Sequence, residues 1–236
     1  MSAPETRTWA RRGARVRKKP AAKAPRKRLA AEVVLQHDQV PLVLLDANVL
    51  LPLTLRVVFL DLADAGLIRV HWTEEILDEV SRNLPKLCRI APADVSKARQ
   101  TMVAAFPDAM VSGWERWKSY FEGKTDTKDA HVAAAAMHLH QSRYKDARVF
   151  LISQNLKDLP AKAFVGTKVT PVRPGHFLAA LLKTEPQVVG VMDQTVGRMT
   201  RPKWTREDLL EGLDGTSCGS FALALAKAWN LVPEGP

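Results

Sequence analysis

The chain has 236 residues, 46% of them hydrophobic, enough for one large domain or for a domain with an appendage. No run approaches the roughly 18 uninterrupted apolar residues of a membrane span, and Cys88 and Cys218 lack the spacing of a zinc site or a disulfide framework, so a cytoplasmic protein is expected. The net charge of +10 sits almost wholly in residues 1–30, with eleven Lys and Arg against Glu5, which leaves the other 206 residues formally neutral.

The basic segment is rich in Ala, Arg and Lys and has no hydrophobic periodicity, so a tail over 1–36, disordered in isolation, is expected. It suits an arm that touches nucleic-acid phosphates, and equally a solubilising tail. From Val40 strands and helices alternate. Residues 42–45 read as a buried strand, Pro52 opens a helix that ends near Gly66, and 67–71 form a short strand. Thr73 caps a helix with Ile76, Leu77, Val80 and Leu84 on one face, and Pro85 is expected to stop it. Pro92 opens a helix that ends before Pro107, 109–111 is a weak strand, and 113–122 a short helix. An Ala-rich helix over 127–141 precedes the strand 149–153 and a last edge strand, 168–172. This order implies an α/β fold, a three-layer α/β/α sandwich on a central parallel sheet, over 37–173. Beyond Pro174 only helices are predicted, over 177–182, 186–199, 205–213 and 217–229, giving a helical C-terminal extension over 174–236.

Four places put a carboxylate or amide where an element begins or ends. Asp46 and Asn48 follow the first strand, and an ionised Asp is costly in an apolar core unless it is paired. Asp78 and Glu79 lie on the Thr73 helix, Asp126 and Asp129 open the Ala-rich helix, and Asn155 and Asp158 follow the strand 149–153. In a parallel sheet, strand ends and helix starts share one edge, where ligands bind. Carboxylates without Cys or paired His suit Mg²⁺ or Mn²⁺ and metal-dependent hydrolysis of a phosphodiester. Bland readings also fit: Asp126 and Asp129 as a capping pair, Asp78 and Glu79 as solvated helix charge, Asn155 and Asp158 as turn formers. Lys128 and Lys157 stand beside the acids and are candidates to meet phosphates.

Four motifs in this order resemble the PIN-domain nucleases, particularly VapC-type toxins of bacterial toxin–antitoxin pairs. They are Leu44-Leu45-Asp46-Ala47-Asn48-Val49-Leu50, Ile76-Leu77-Asp78-Glu79-Val80, Asp126-Thr127-Lys128-Asp129-Ala130-His131 with the alanines after it, and Leu151-Ile152-Ser153-Gln154-Asn155-Leu156-Lys157-Asp158. Pro174-Gly175-His176-Phe177-Leu178 and Trp204-Thr205-Arg206-Glu207-Asp208 are similar to the helical extension of one PIN subgroup. The resemblance implies a Mg²⁺-dependent endoribonuclease that leaves 5′-phosphate and 3′-hydroxyl ends and is neutralised by a cognate antitoxin; homodimers are common among such relatives, and the sequence leaves the oligomeric state open. It makes Asp46, Glu79 and Asp129 the catalytic, metal-binding acids and lets Asn48 and Ser153 orient carboxylates and waters. Many relatives carry Asp where this chain has Asn155, an orienting residue at most, so Asp126, Asp158 or water would complete the site and one firmly held ion is expected.

His131, His138 and His140 read as packing or surface residues. Trp114, Trp117, Tyr120 and Phe121, with Arg116 and Lys118, fit a core or partner-facing stripe better than a base-stacking platform. No GxSxG, P-loop or GxGxxG context occurs. The rival from another class is a non-catalytic RNA- or partner-binding module of the same fold. A flap-type DNA nuclease is the weaker enzyme alternative, because no helical arch is evident.

Overall fold

Leu42–Leu45 is buried at every position, as a strand covered on both faces must be. The computed structural model describes Val33, Leu35 and residues 39–88 and 91–231, all in one compact unit. The basic segment 1–32, on which the expected tail mostly falls, lies outside the described residues, whereas Val33 and Leu35 are half-buried and pack against the core.

The fold is mixed α/β around a four-stranded, wholly parallel sheet. β1 (Leu42–Leu45) is flanked by β2 (Arg69–His71) and β3 (Val149–Ile152), and β4 (Val169–Val172) lies outside β3, giving the order β2-β1-β3-β4. In register, Val43 stands opposite Val70 and Phe150, and Leu44 opposite His71 and Leu151. Side chains alternate across a strand, so these two rows point to opposite faces. Phe150 meets Phe177 at 5.3 Å, and Phe177 meets Phe59 at 6.1 Å. His71, in the other row, meets Tyr144 at 5.4 Å. The arrangement is compatible with an α/β/α sandwich.

The helices are α1 (Ala47–Leu50), a single turn that the sequence reading did not anticipate, α2 (Leu53–Asp64), α3 (Glu74–Cys88), α4 (Pro92–Ala105) and α5 (Ala130–His138). Thr73 caps α3 by accepting from the Ile76 N–H at 3.1 Å. Pro85, expected to stop α3, lies inside it. Its φ is already helical and it forfeits only its own N–H bond near the helix end, while Leu84 stays buried. The expected strand at 109–111 is a single bridge, Trp72 to Met110, because a 3₁₀ turn at Pro107–Ala109 and a left-handed Gly113 (φ 74°) confine the extended run. The expected helix over 113–122 is two 3₁₀ turns, Glu115–Trp117 and Ser119–Phe121. The Ala-rich helix begins three residues later than expected, since the Lys128 N–H is taken by Asp126 Oδ1 at 2.9 Å, and it passes into a π turn at Leu139–Arg143.

Four helices follow β4: α6 (Pro174–Thr184), α7 (Val188–Arg198), α8 (Arg206–Asp214) and α9 (Gly219–Ala228). They pack against α2 and each other. Asp61 of α2 accepts from Thr195 Oγ1 at 2.5 Å and from Arg198 at 2.6 Å on α7. At Gly175 a Cβ would lie 2.8 Å from the Cys218 Cα, so a side chain there would push α6 off the start of α9. Among the described residues, no helix is long and apolar enough to cross a membrane.

Candidate active site

The carboxyl ends of β1 and β3 meet α1 and the turn into α5. The Asp46 N–H donates to Ile152 O at 3.1 Å, which fixes the first residue beyond β1 against β3. Asp46 is 4% exposed and is the N-cap of α1. Its Oδ1 accepts from the Ala47 N–H at 2.7 Å, and its Oδ2 from Ser153 Oγ at 2.7 Å and Asn48 Nδ2 at 2.5 Å. Asn48 Nδ2 also reaches Ser153 Oγ at 3.0 Å. Asn48 is itself gripped by Gln154, whose backbone N–H donates to Asn48 Oδ1 at 2.9 Å and whose side chain donates to Asn48 O at 3.1 Å. Burial raises the Asp46 pKa, and the Ser153 hydroxyl, the Ala47 N–H, His131 and Asn48 pull it back.

Asp129 stands at the start of α5 without a side-chain cap hydrogen bond. Its carboxyl group is pushed up to about 6, first by desolvation and then by the negative charges of Asp46, Asp158 and Asp126, with His131 opposing. The capping-pair reading of Asp126 and Asp129 therefore does not hold: the Asp126 carboxylate closes the 126–128 turn and the Asp129 carboxylate caps nothing. Asp126 N–H donates to Asp158 O at 3.2 Å, which joins the turn before α5 to the loop after β3. In that loop Asn155 Nδ2 donates to Asp158 Oδ2 at 2.5 Å, and the Asn155 N–H donates to Ser153 Oγ at 3.0 Å.

The acids of α3 divide. Glu74 and Asp78 both pair with Arg99 of α4, the latter at 2.7 Å, which gives them a structural role. Glu75 comes within 3.8 Å of His131 Nδ1. Glu79, one turn further on, shares that face of the helix; it is half-buried and makes no hydrogen bond or ion pair with Asp46 or Asp129. Among the described residues, no three His, Cys, Asp or Glu side chains stand together as a group that could hold a metal ion. Asp46, Asp158 and Asp126 all act on Asp129 through their charge. Lys128 and Lys157 are exposed beside these acids.

Comparison with protein-family models, curated proteins and solved structures gives no match. The reading of the site therefore rests on its own chemistry. Two side chains escaped the sequence reading. Gln154 locks Asn48 from two sides, and nothing in a lone Gln after a strand announces that. His131 is buried, with Nδ1 2.7 Å from Lys128 O and Nε2 without a hydrogen-bond partner, and it favours the ionised forms of both Asp46 and Asp129. Its place in the first turn of α5, two residues after Asp129, was the available signal.

The donor set fits a hard divalent cation. The charge of Asp46 helps raise the Asp129 pKa, and a cation near both carboxylates would relieve that repulsion. Mg²⁺ needs only one or two carboxylates when waters and substrate oxygens complete its shell.

Proposed function

We propose that the chain is a Mg²⁺-dependent endoribonuclease of the PIN type, with an α/β/α sandwich, acting as the toxin of a toxin–antitoxin pair. The observation that carries this reading is the pair Asp46 and Asp129 at the carboxyl edge of a parallel sheet, both with raised pKa, one clamped by three donors and the other uncapped. Asp46 and Asp129 would hold the ion, with Mn²⁺ able to replace Mg²⁺. When bound, the ion supplies Lewis-acid stabilisation of phosphoryl charge and a more acidic water. Ser153 and Asn48 keep the Asp46 carboxylate in one orientation, so no rotamer search is needed when substrate arrives. Asp129 keeps both oxygens free of capping duty. Lys128 and Lys157 offer mobile cations for the RNA phosphates on either side of the scissile bond, and Glu79 and Glu75 share the α3 face that approaches His131. Asp158, tied to Asn155, adds negative charge without closing a second metal site.

Purified protein incubated with structured RNA and Mg²⁺ or Mn²⁺ should release products with 5′-phosphate and 3′-hydroxyl ends. Full cleavage in excess EDTA, or by both Asp46→Asn and Asp129→Asn, would overturn the mechanism. A second reading, a non-catalytic RNA- or partner-binding module, is favoured by the lack of a third acid grouped with the first two among the described residues. RNA binding indifferent to Mg²⁺, without cleavage of any RNA, would select it. The cognate antitoxin is tested by co-expression of the neighbouring reading frame, which should abolish cleavage.

A further inference from the structure

The groups that clamp Asp46 are themselves held, and their supports converge on the peptide link between Gln154 and Asn155, just beyond β3. The N–H of that link, from Asn155, donates to Ser153 Oγ at 3.0 Å. Its C=O, from Gln154, accepts from Arg173 Nη1 at 2.9 Å. A hydroxyl has one proton and two lone pairs. Ser153 Oγ accepts from the Asn155 N–H and from Asn48 Nδ2, so its single proton is left for Asp46 Oδ2. A second route starts from the same place: the Gln154 N–H and side-chain amide grip Asn48, whose Nδ2 also reaches Asp46 Oδ2. Rotation of the Gln154–Asn155 link would disturb both routes at once.

Arg173 opposes that rotation. The Ser153 N–H donates to Val172 O at 3.2 Å and continues the β3–β4 ladder by one bond. The Arg173 guanidinium takes over at the next residue of each segment, with a charge-assisted bond to the Gln154 carbonyl. The side chain is exposed, but its main chain is fixed on both sides. It follows β4, and its C=O accepts from the His176 and Phe177 N–H groups at 3.1 Å as α6 begins. α6 is in turn seated against the start of α9, which Gly175 approaches too closely for a side chain.

A carboxylate offers roughly four lone-pair positions. The Ala47 N–H takes one on Oδ1, while Ser153 and Asn48 take two on Oδ2, so the position left open is on Oδ1. We infer that Arg173 is a positioning residue of the carboxylate site: by pinning the Gln154–Asn155 link it keeps Ser153 and Asn48 on Asp46 Oδ2, leaves Asp46 Oδ1 available, and makes the start of α6 part of the site's support. The consequence for cleavage rests on the nuclease reading above; the coupling within the fold does not. Groups that orient a metal ligand from behind typically matter by about 10–100-fold.

Amide hydrogen exchange, read by NMR on the full chain in EDTA, tests the coupling without any cleavage. Arg173→Met removes every donor and keeps a stem, whereas Arg173→Lys keeps one charged donor. Exchange at the Asn155 N–H should rise at least tenfold in Arg173→Met relative to Leu151 in β3 and Leu181 in α6, and stay within threefold of the wild type in Arg173→Lys. No rise at Asn155, or a rise shared equally by β3 and α6, overturns the proposal. With structured RNA and Mg²⁺, Arg173→Met should lower kcat at least fivefold with KM within twofold, and Arg173→Lys should restore most of it. A raised KM at unchanged kcat would make Arg173 a substrate contact and overturn the positioning role. Combined with Ser153→Ala, the loss in kcat should be smaller than the product of the two single losses, because both act through one hydroxyl; the full product overturns it. If the wild type cleaves no RNA, the nuclease reading fails, and the exchange rates still decide whether Arg173 holds the clamp.

Discussion

Asp46, just beyond β1, and His71, in the neighbouring strand β2, are buried polar side chains, and the protein treats them in opposite ways. Asp46 has three hydrogen-bond donors on its two oxygens, so much of the penalty for burying its charge is offset. His71 is bordered by the Ala109 and Asp108 backbone and has two arginines nearby, and burial above all keeps it neutral at pH 7. The first environment offsets part of the cost of a buried charge; the second disfavours charge altogether. What decides between them is the neighbouring backbone. Beyond β1 the chain turns into a one-turn helix with Asp46 as its cap, whereas β2 is bordered on its outer side by a single bridge and a cleft.

The largest expected effect lies at the first site. Asp46→Asn keeps the shape of the side chain but removes its charge, and loss of metal-assisted stabilisation worth several kcal/mol corresponds to a fall in RNA cleavage of about a hundredfold or more. Single-turnover cleavage assays check this; activity within threefold of the wild type would erase the distinction between the two environments.

The next effect separates the regions by pH. His71 has a folded-state pKa of about 4 against an ordinary 6.5, so the unfolded chain binds the extra proton between those values. Its contribution to stability is complete above pH 6.5 and is lost as pH falls towards 4, by about 3 kcal/mol. Asp129 works the other way in metal-free protein. Its pKa is raised from 3.8 to about 6, so the folded state holds the extra proton and stability falls as pH rises through that window. Urea unfolding between pH 4 and 7 in EDTA should therefore show partial cancellation in the wild type. Asp129→Asn should steepen the loss at low pH and His71→Gln should flatten or invert it. Parallel profiles for all three proteins would show that neither group is perturbed by the fold.

The sequence reading reached the four strands and most helices because each is announced by a local signal. Thr73 before an apolar helical stripe, Pro92 at a helix start and the continuous apolar runs of β1 and β3 are of this kind. It failed where a local cue was overruled. Pro85 signals a stop although a helix tolerates it near its end, and Gly113 curtails the extended run after Pro107. At the site, Asp46 was legible because a carboxylate after an apolar strand has few structural excuses. The separation of Glu74 and Asp78 from Glu79 was not, because it depends on Arg99 from another helix. The His71 cleft left no mark in the sequence at all. A histidine at the end of a short strand looks like any other until the bordering segments are in place.

Ser153→Ala probes how much of Asp46's clamp matters for stability. The Ser153 hydroxyl donates to the Asp46 carboxylate and accepts from Asn155 N–H, and it is fully buried. A hydrogen bond to a charged group is worth about 1.5–3 kcal/mol, so denaturant unfolding should show a loss near 2 kcal/mol at pH 7. The loss should shrink at low pH, once Asp46 is protonated. A pH-independent loss would mean that the hydroxyl matters for packing and not for the charge.

The smallest effect falls on the residue that joins the two regions. Thr73 follows the end of β2, where His71 and Trp72 lie, and caps α3, whose first turn carries Glu75 towards His131. Thr73→Ala removes one cap hydrogen bond and should cost about 1 kcal/mol in urea unfolding. Faster amide hydrogen exchange should follow, confined to the first turn of α3. If the two environments are independent, the acid-side loss of stability owed to His71 stays unchanged while RNA cleavage falls modestly, through a looser Glu75 and Glu79 face. A change in both would show that the end of β2 and the start of α3 move as one unit.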